Sequence, residues 1–378
     1  MMEPQVFEKY GVRACVNCDR CRDVCPIRLE DERFSPSRLV KTTLTGRWLE
    51  RDDFTLVNCL GCRACKVRCP SEDVEFGKFV RIMRAETFDG GGYEWTAHGG
   101  ALHHLEAIDP EPEVESSRLD SIPEEFKSID GDEVLFVGCL PYFDIFFRKD
   151  PGVHPMQTVI SALALLKAAG SKPRLLPDEP CCGHDLHEIG DKKAFSRKAE
   201  AVMFFLRRAR AQTVFTVCPE CAYTISELYP EYGIFPGVNV VPVVDFLSER
   251  IGRLAFRNRD EKVSLLESCR GFGSRKKFRK VLGAVPGLQL KETAPEQEYP
   301  SCCGTSGFFA CGKIASRIAL KRLKEAEAAG AGTLLSGCPK ATIHLSCAVR
   351  KGSWVESRTR VEDFLTFIAS ALKSGGRQ

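Results

Sequence analysis

The sequence predicts a small, mostly helical N-terminal domain followed by two α/β repeats on parallel sheets, related by a pseudo-two-fold axis. Three observations predict it. A four-cysteine run occurs twice within residues 15–70. Beyond residue 130, short apolar segments alternate with helical stretches of about 12–20 residues, the pattern of parallel α/β units. That second region also repeats its own cysteine spacings. The 378 residues exceed the roughly 250–300 that one core holds, so more than one domain is expected.

Composition sets the class. Hydrophobic residues at 43% and charged residues at 28% describe a folded chain rather than a disordered one. With 54 Lys and Arg against 51 Asp and Glu, the net charge gives no reason to expect nucleic acid or an anionic membrane as a partner. The richest apolar stretch, Val134–Phe147, is broken by Pro141 and Asp144 and falls short of a membrane span. The N-terminus (MMEPQVFEKYGVR) lacks a basic-then-apolar signal pattern. A cytoplasmic protein is expected, attached to the inner face of a membrane only through a partner.

In the N-terminal domain (residues 1–88), Cys15, Cys18, Cys21 and Cys25 form C-x2-C-x2-C-x3-C before Pro26. Cys59, Cys62, Cys65 and Cys69 repeat it before Pro70, 44 residues on. Among 19 cysteines in a reducing compartment, such spacing points to soft-metal ligation rather than disulfides. A zinc ribbon has no use for the third cysteine, whereas this is the bacterial ferredoxin run, whose fourth cysteine serves the other cluster. Cys15, Cys18, Cys21 and Cys69 are therefore expected to hold one [4Fe–4S] cubane, and Cys59, Cys62, Cys65 and Cys25 a second. Residues 34–56 read as one or two short helices between the runs, starting near Ser35 and Pro36.

Gly90–Gly92, Gly99, Gly100 and EPEVESS with Pro110 and Pro112 mark residues 89–130 as a linker. The first repeat (131–255) starts with VLFVG (134–138), which ends at Cys139. A helix over 155–169, a strand candidate at 172–176 and then Cys181, Cys182 and Gly183 follow. A helix over about 191–211 leads to TVFTV, Cys218 and Cys221, and VVPVVDF (240–246) completes the unit. In the second repeat (260–373), VSLLES precedes Cys269, and Cys302, Cys303 and Gly304 follow. A helix over about 312–329 leads to TLLSG and Cys338, and Val361, Asp363, Phe364 and Leu365 echo Val243, Asp245, Phe246 and Leu247. Cys182 to Cys218 and Cys303 to Cys338 span 36 and 35 residues. The cysteines follow strands, where ligands collect in open parallel sheets, so the sites of the two repeats are expected near their mutual contact.

Adjacent cysteines seldom bridge each other, because the ring is strained. Two thiolates at one corner suit a cluster instead, and the following glycine lets the backbone pass close to it. The pattern given by Cys139, Cys181, Cys182, Gly183, Cys218 and Cys221 resembles the cysteine-rich CCG domain. That domain is found in the catalytic subunit of heterodisulfide reductase, in iron–sulfur subunits of lactate, glycolate and anaerobic glycerol-3-phosphate dehydrogenases, and in thiol:fumarate reductase. A ferredoxin domain ahead of two CCG repeats is similar to the D-type heterodisulfide reductase subunits. The resemblance implies a non-cubane [4Fe–4S] cluster on the five cysteines of the first repeat, as the catalytic site. The second repeat matches at Cys269, Cys302, Cys303 and Cys338 but has Ala341 where the first has Cys221. Four thiolates suffice for a cubane, so a second CCG cluster is expected there with its type open. Cys311 and Cys347 remain as buried small side chains.

Weaker signals complete the sequence. His184 and His187 follow the first cysteine pair, and His184 is a candidate proton donor beside the cluster. His98, His103 and His104 are expected to be solvated. The basic run Arg275, Lys276, Lys277, Arg279 and Lys280 reads as a solvated helix face, and Lys340 as a place for an anion. No G-x-G-x-x-G or P-loop occurs, so flavin or nicotinamide chemistry is expected from a partner. The resemblance implies a subunit that reduces a small disulfide, or oxidises two thiols, in two one-electron steps, fed by a flavin-containing or cytochrome b-type subunit. Ala341 favours a second reading, a non-catalytic electron-transfer subunit linking a flavin dehydrogenase to quinone or cytochrome b.

Overall fold

The computed structural model describes residues 7–8, 10–45, 53–88, 93–109, 117–128, 130–293, 301–305, 307–308, 310–351 and 359–373. Gly90–Gly92, Pro110 and Pro112 lie outside the described residues, as does most of EPEVESS.

Short helices build the N-terminal domain: α1 (Arg20–Asp23), α2 (Pro36–Leu44), α3 (Asp53–Asn58), α4 (Ala64–Arg68) and α5 (Phe76–Phe88). Ser35 caps α2, its hydroxyl accepting from the Arg38 N–H at 3.2 Å, with Pro36 at the first helical position. The expected linker contains a further helix, α6 (Ala101–Ala107), whose Leu102, His103 and Glu106 are buried.

The first repeat comprises β1 (Glu133–Phe136), α7 (Leu140–Phe147), α8 (Pro155–Ala169), α9 (His184–Ile189), α10 (Lys192–Arg208), β2 (Thr213–Thr216), α11 (Pro219–Tyr223), β3 (Asn239–Pro242) and α12 (Val243–Glu249). Its sheet is parallel in the order β1-β2-β3, with Val134 opposite Val214 and Val214 opposite Val240. The second repeat has β4 (Lys262–Leu266), α13 (Arg275–Gly283), β5 (Gln289–Leu290), α14 (Lys313–Ala328), β6 (Thr333–Ser336), α15 (Pro339–Lys351), β7 (Arg360–Asp363) and α16 (Phe364–Ser370). Its parallel order is β5-β4-β6-β7. The central strands are buried on both faces, so they read as continuous apolar runs.

Two expectations change. Residues 172–176 form no strand; a single parallel bridge pairs Arg174 with Val134, since Pro173 offers no N–H for a ladder. VVPVVDF is half strand and half helix, switching at Pro242. Packing between the repeats is reciprocal. The last helix of each repeat, α12 or α16, packs on the long helix after the first strand of the other, α13 or α8. One continuous apolar core runs from Val12 and Phe79 through Phe143 and Leu206 to Phe367. No helix among the described residues is long and apolar enough to cross a membrane.

Candidate functional site

The two N-terminal runs share a backbone device. Asn17 and Asp19 flank Cys18 at φ 52° and 60°, and Gly61 and Arg63 flank Cys62 at φ 58° and 66°. These left-handed residues turn the chain so that thiols three residues apart can face one point, which neither a helix nor a strand allows. Cys15, Cys18, Cys21 and Cys69 line one hollow, with Cys65 on its wall. Cys25, Cys59, Cys62 and Cys65 line a second. Soft donors gathered in fours fit iron–sulfur clusters.

In the first repeat, β1 delivers Cys139, the loop before α9 delivers Cys181 and Cys182, and β2 with α11 delivers Cys218 and Cys221. All five are 2–3% exposed. Their thiols form an unbroken series of contacts, Cys139 to Cys181 to Cys182 to Cys221 to Cys218. Hydrogen bonding from their neighbours pulls the Cys181 and Cys218 thiols down, while Cys139, Cys182 and Cys221 are pushed up. Pro219 opens α11, and a π-turn over Thr224–Leu228 follows it.

Residues outside the cysteine pattern fix these loops. Glu179 accepts from the N–H groups of Val137 at 2.5 Å and Gly138 at 2.9 Å, holding the turn before Cys139. Burial pushes its carboxyl up to about 7. Arg118, from the expected linker, donates to the carbonyls of Glu179 and Gly138, and the Tyr229 hydroxyl donates to the Cys182 carbonyl at 2.9 Å. Glu106 of α6 reaches the same site: one of its carboxylate oxygens and the Cys139 and Cys181 sulfurs all lie within 4.8 Å of one another.

The second repeat reproduces the corner. Gly183 and Gly304 stand at φ +80° and +101°, and each donates its N–H to the first sulfur of its pair at 3.4 Å. The sulfur of Cys302 contacts Cys303 and also Cys62 of the N-terminal domain. The Cys302 contact lowers the Cys62 thiol to about 7. Cys338, after β6, contacts Cys218 of the first repeat. Cys269, after β4, is pushed up to about 12 by burial. Ala341 is buried on α15, and Cys311 and Cys347 are half-buried.

Between the repeats lies a buried charged seam. Lys340 Nζ stands 2.5 Å from Asp185 Oδ1 and 2.9 Å from Glu220 Oε2. His184, wholly buried, places Nδ1 3.1 Å from the same Asp185 oxygen and 3.5 Å from Glu220 Oε2. The donors of His184, Asp185 and Glu220 are close enough for a metal ion, but the ammonium of Lys340 already supplies the cation there. Lys340 is therefore committed to two carboxylates rather than waiting for an anion. Burial alone would raise Asp185; Lys340 and His184 outweigh it and hold the carboxyl far below its usual range.

A second buried pair joins all three domains. Arg270, just after Cys269, donates to Glu188 Oε1 at 2.9 Å, and Arg81 of α5 stands 3.5 Å from the same oxygen. Arg84, also of α5, donates to the carbonyls of Leu56, Glu188 and Cys59. These charged residues carry no sequence signal, because charged side chains read as surface until a partner is known.

Other expectations shift. His103 is buried, its Nδ1 3.0 Å from the Thr96 hydroxyl, whereas His98 and His104 are exposed as expected. His187 packs against the rings of Phe195 and Tyr232. The basic run is paired: Arg275 and Arg279 with Glu267, Arg279 also with Glu292, and Lys277 with Asp245.

Comparison with known proteins agrees with this geometry. A 4Fe-4S dicluster domain matches residues 11–72, and a cysteine-rich domain matches twice, over 134–226 and 263–346. The chain is similar to an iron–sulfur oxidoreductase component of Methanothermobacter marburgensis, one of the subunits of its fumarate reductase (CoM/CoB). The two are 23% identical over 368 residues, covering 90% of this chain and 68% of that protein. It is also similar to a probable glycolate oxidase iron–sulfur subunit of Bacillus subtilis, 24% identical over 369 residues, covering 78% and 79%. A crystal structure of a hypothetical protein from Helicobacter pylori shares the fold, with a TM-score of 0.54 at 11% identity, covering 98% of this chain and 76% of that one. Its modules and relatives place the chain in the family of heterodisulfide reductase-like iron–sulfur oxidoreductase subunits that join a 4Fe-4S dicluster domain to two cysteine-rich CCG domains.

Proposed function

We propose that the protein passes single electrons from two N-terminal cubanes, through a cluster at the second CCG site, to a five-cysteine cluster at the first. There a small disulfide is reduced or two thiols are oxidised. The observation that carries the reading is the order of sulfur contacts: Cys62 touches Cys302, and Cys338 touches Cys218. The incomplete second site thus stands between the N-terminal domain and the complete first site, as a relay would. The clusters supply one-electron chemistry. The chain's own residues aim the thiols, exclude water and balance buried charge along Lys340, Asp185, His184 and Glu220. Crossed ligation in the N-terminal domain, with Cys69 serving the first cubane and Cys25 the second, is supported by the two cysteine-lined hollows. Reciprocal helix packing supports a pseudo-two-fold relation between the repeats. The CoM/CoB pair in the archaeal relative's name supports a thiol–disulfide substrate, and a flavin-containing or cytochrome b-type partner follows from the same family likeness.

Low-temperature EPR of the oxidised protein with a thiol added tests this. A thiol-induced signal is expected in the wild type and in Cys303→Ser but not in Cys182→Ser. The converse pattern places the active cluster in the second repeat. A wild type without any signal favours the electron-transfer reading, to which Ala341 also points.

A further inference from the structure

Glu106 belongs to neither cysteine pattern, yet α6 carries it into the first CCG site. Its side chain is buried, and neither carboxylate oxygen has a hydrogen-bond partner. The groups facing it are the thiols of Cys139 and Cys181 and the carboxylate of Asp185, which Lys340 and His184 already engage. Burying an acid among acceptors and weak donors is unfavourable unless something else satisfies it. One oxygen and the two sulfurs lie within 4.8 Å of one another, a span that one metal ion can bridge. No ammonium or guanidinium among the described residues reaches Glu106 in the way that Lys340 reaches Asp185.

We infer that Glu106 is an oxygen ligand to iron at the Cys139–Cys181 corner of the first CCG site. The inference rests on that site holding a cluster, and it adds a hard carboxylate to five soft thiolates, making one iron unlike the rest. Binding forms one O–Fe bond and releases the carboxyl proton to solvent, with no change in oxidation state. The second CCG site has no counterpart to α6 between its first strand and its cysteine pair among the described residues, so the added ligand sets the two sites apart independently of Ala341.

Mössbauer spectroscopy of protein carrying 57Fe is the test. The wild type should show a doublet of higher isomer shift from one oxygen-ligated iron, and Glu106→Gln should lose that doublet while the N-terminal cubane signals persist. Identical spectra in the two proteins would overturn the ligand and leave Glu106 a buried neutral acid. Should Glu106→Gln fail to fold, electron–nuclear double resonance on wild-type protein labelled with 13C-glutamate decides: a 13C coupling to the cluster supports ligation, and its absence overturns it. Failure of the functional reading is separately visible, because Cys182→Ser would then remove no iron.

Discussion

Lys340 Nζ lies 2.9 Å from Glu220 Oε2, and both residues hold the third place of their repeat's motif, Cys-Pro-Lys-Ala and Cys-Pro-Glu-Cys. The same position thus carries opposite charges in the two repeats, and the charges meet across the contact between them. The preceding cysteines, Cys338 and Cys218, meet there as well.

Removing one partner of so buried a pair strands the other charge. Lys340→Met should destabilise the protein by about 3–5 kcal/mol, since Asp185 and Glu220 both lose their cation. Adding Glu220→Gln should recover part of that loss. Urea unfolding of the two single variants and the double variant measures the coupling; simple additivity would show that the pair is not a unit.

Gly61 is constrained twice. It stands at φ +58°, and an added Cβ would come within 2.6 Å of Glu188 Oε2. Gly99 has a similar φ of +61° with nothing within 4 Å. Gly99→Ala should therefore cost about 1–2 kcal/mol of left-handed strain. Gly61→Ala should cost more, because Glu188 is held by Arg270 and Arg81, and should weaken the EPR signal of the Cys59–Cys62–Cys65 cluster. Equal losses of stability would show that Glu188 yields freely.

Burial lowers the imidazole of His103 from 6.5 to about 4. Its neutral form is favoured in the folded protein, so the stability it contributes is complete above pH 6.5 and is lost as pH falls from 6.5 towards 4. His187 acts in the same direction for the same reason. His103→Asn should flatten the decline in unfolding midpoint between pH 7.5 and pH 5 relative to the wild type. A parallel decline in both proteins would mean that His103 does not titrate on unfolding.

Ala341→Cys restores the missing thiol beside Cys338. If the second site differs from the first through this residue, the variant should gain a second thiol-induced EPR signal that Cys303→Ser removes. An unchanged spectrum would assign the difference between the sites to other residues, Glu106 among them.

Much of this architecture is legible in the sequence, for physical reasons that vary by element. The stretch 155–169 is bounded by Pro155 and Gly170, a helix start and a left-handed stop, so its limits can be read directly. The cysteine loops declare themselves by spacing. Helix α6 does not: Ala101–Ala107 spans only two turns, and its buried His103 and Glu106 read as solvated. Lys340, Glu220, Arg270 and Glu188 are invisible for a related reason. A charged residue looks like surface unless its partner is known, and these partners lie up to 155 residues away in sequence, as Asp185 does from Lys340. Sequence spacing groups the thiols; only the fold shows that Cys62 meets Cys302 and that Cys218 meets Cys338.

Iron content tests the central claim most directly. Four cluster sites joined by sulfur contacts require about 16 iron atoms per chain, four clusters of four, in protein purified without oxygen. Elemental analysis with acid-labile sulfide in equal amount is the expected result. Close to eight irons, or a content dominated by zinc, would contradict a four-cluster relay through both CCG sites.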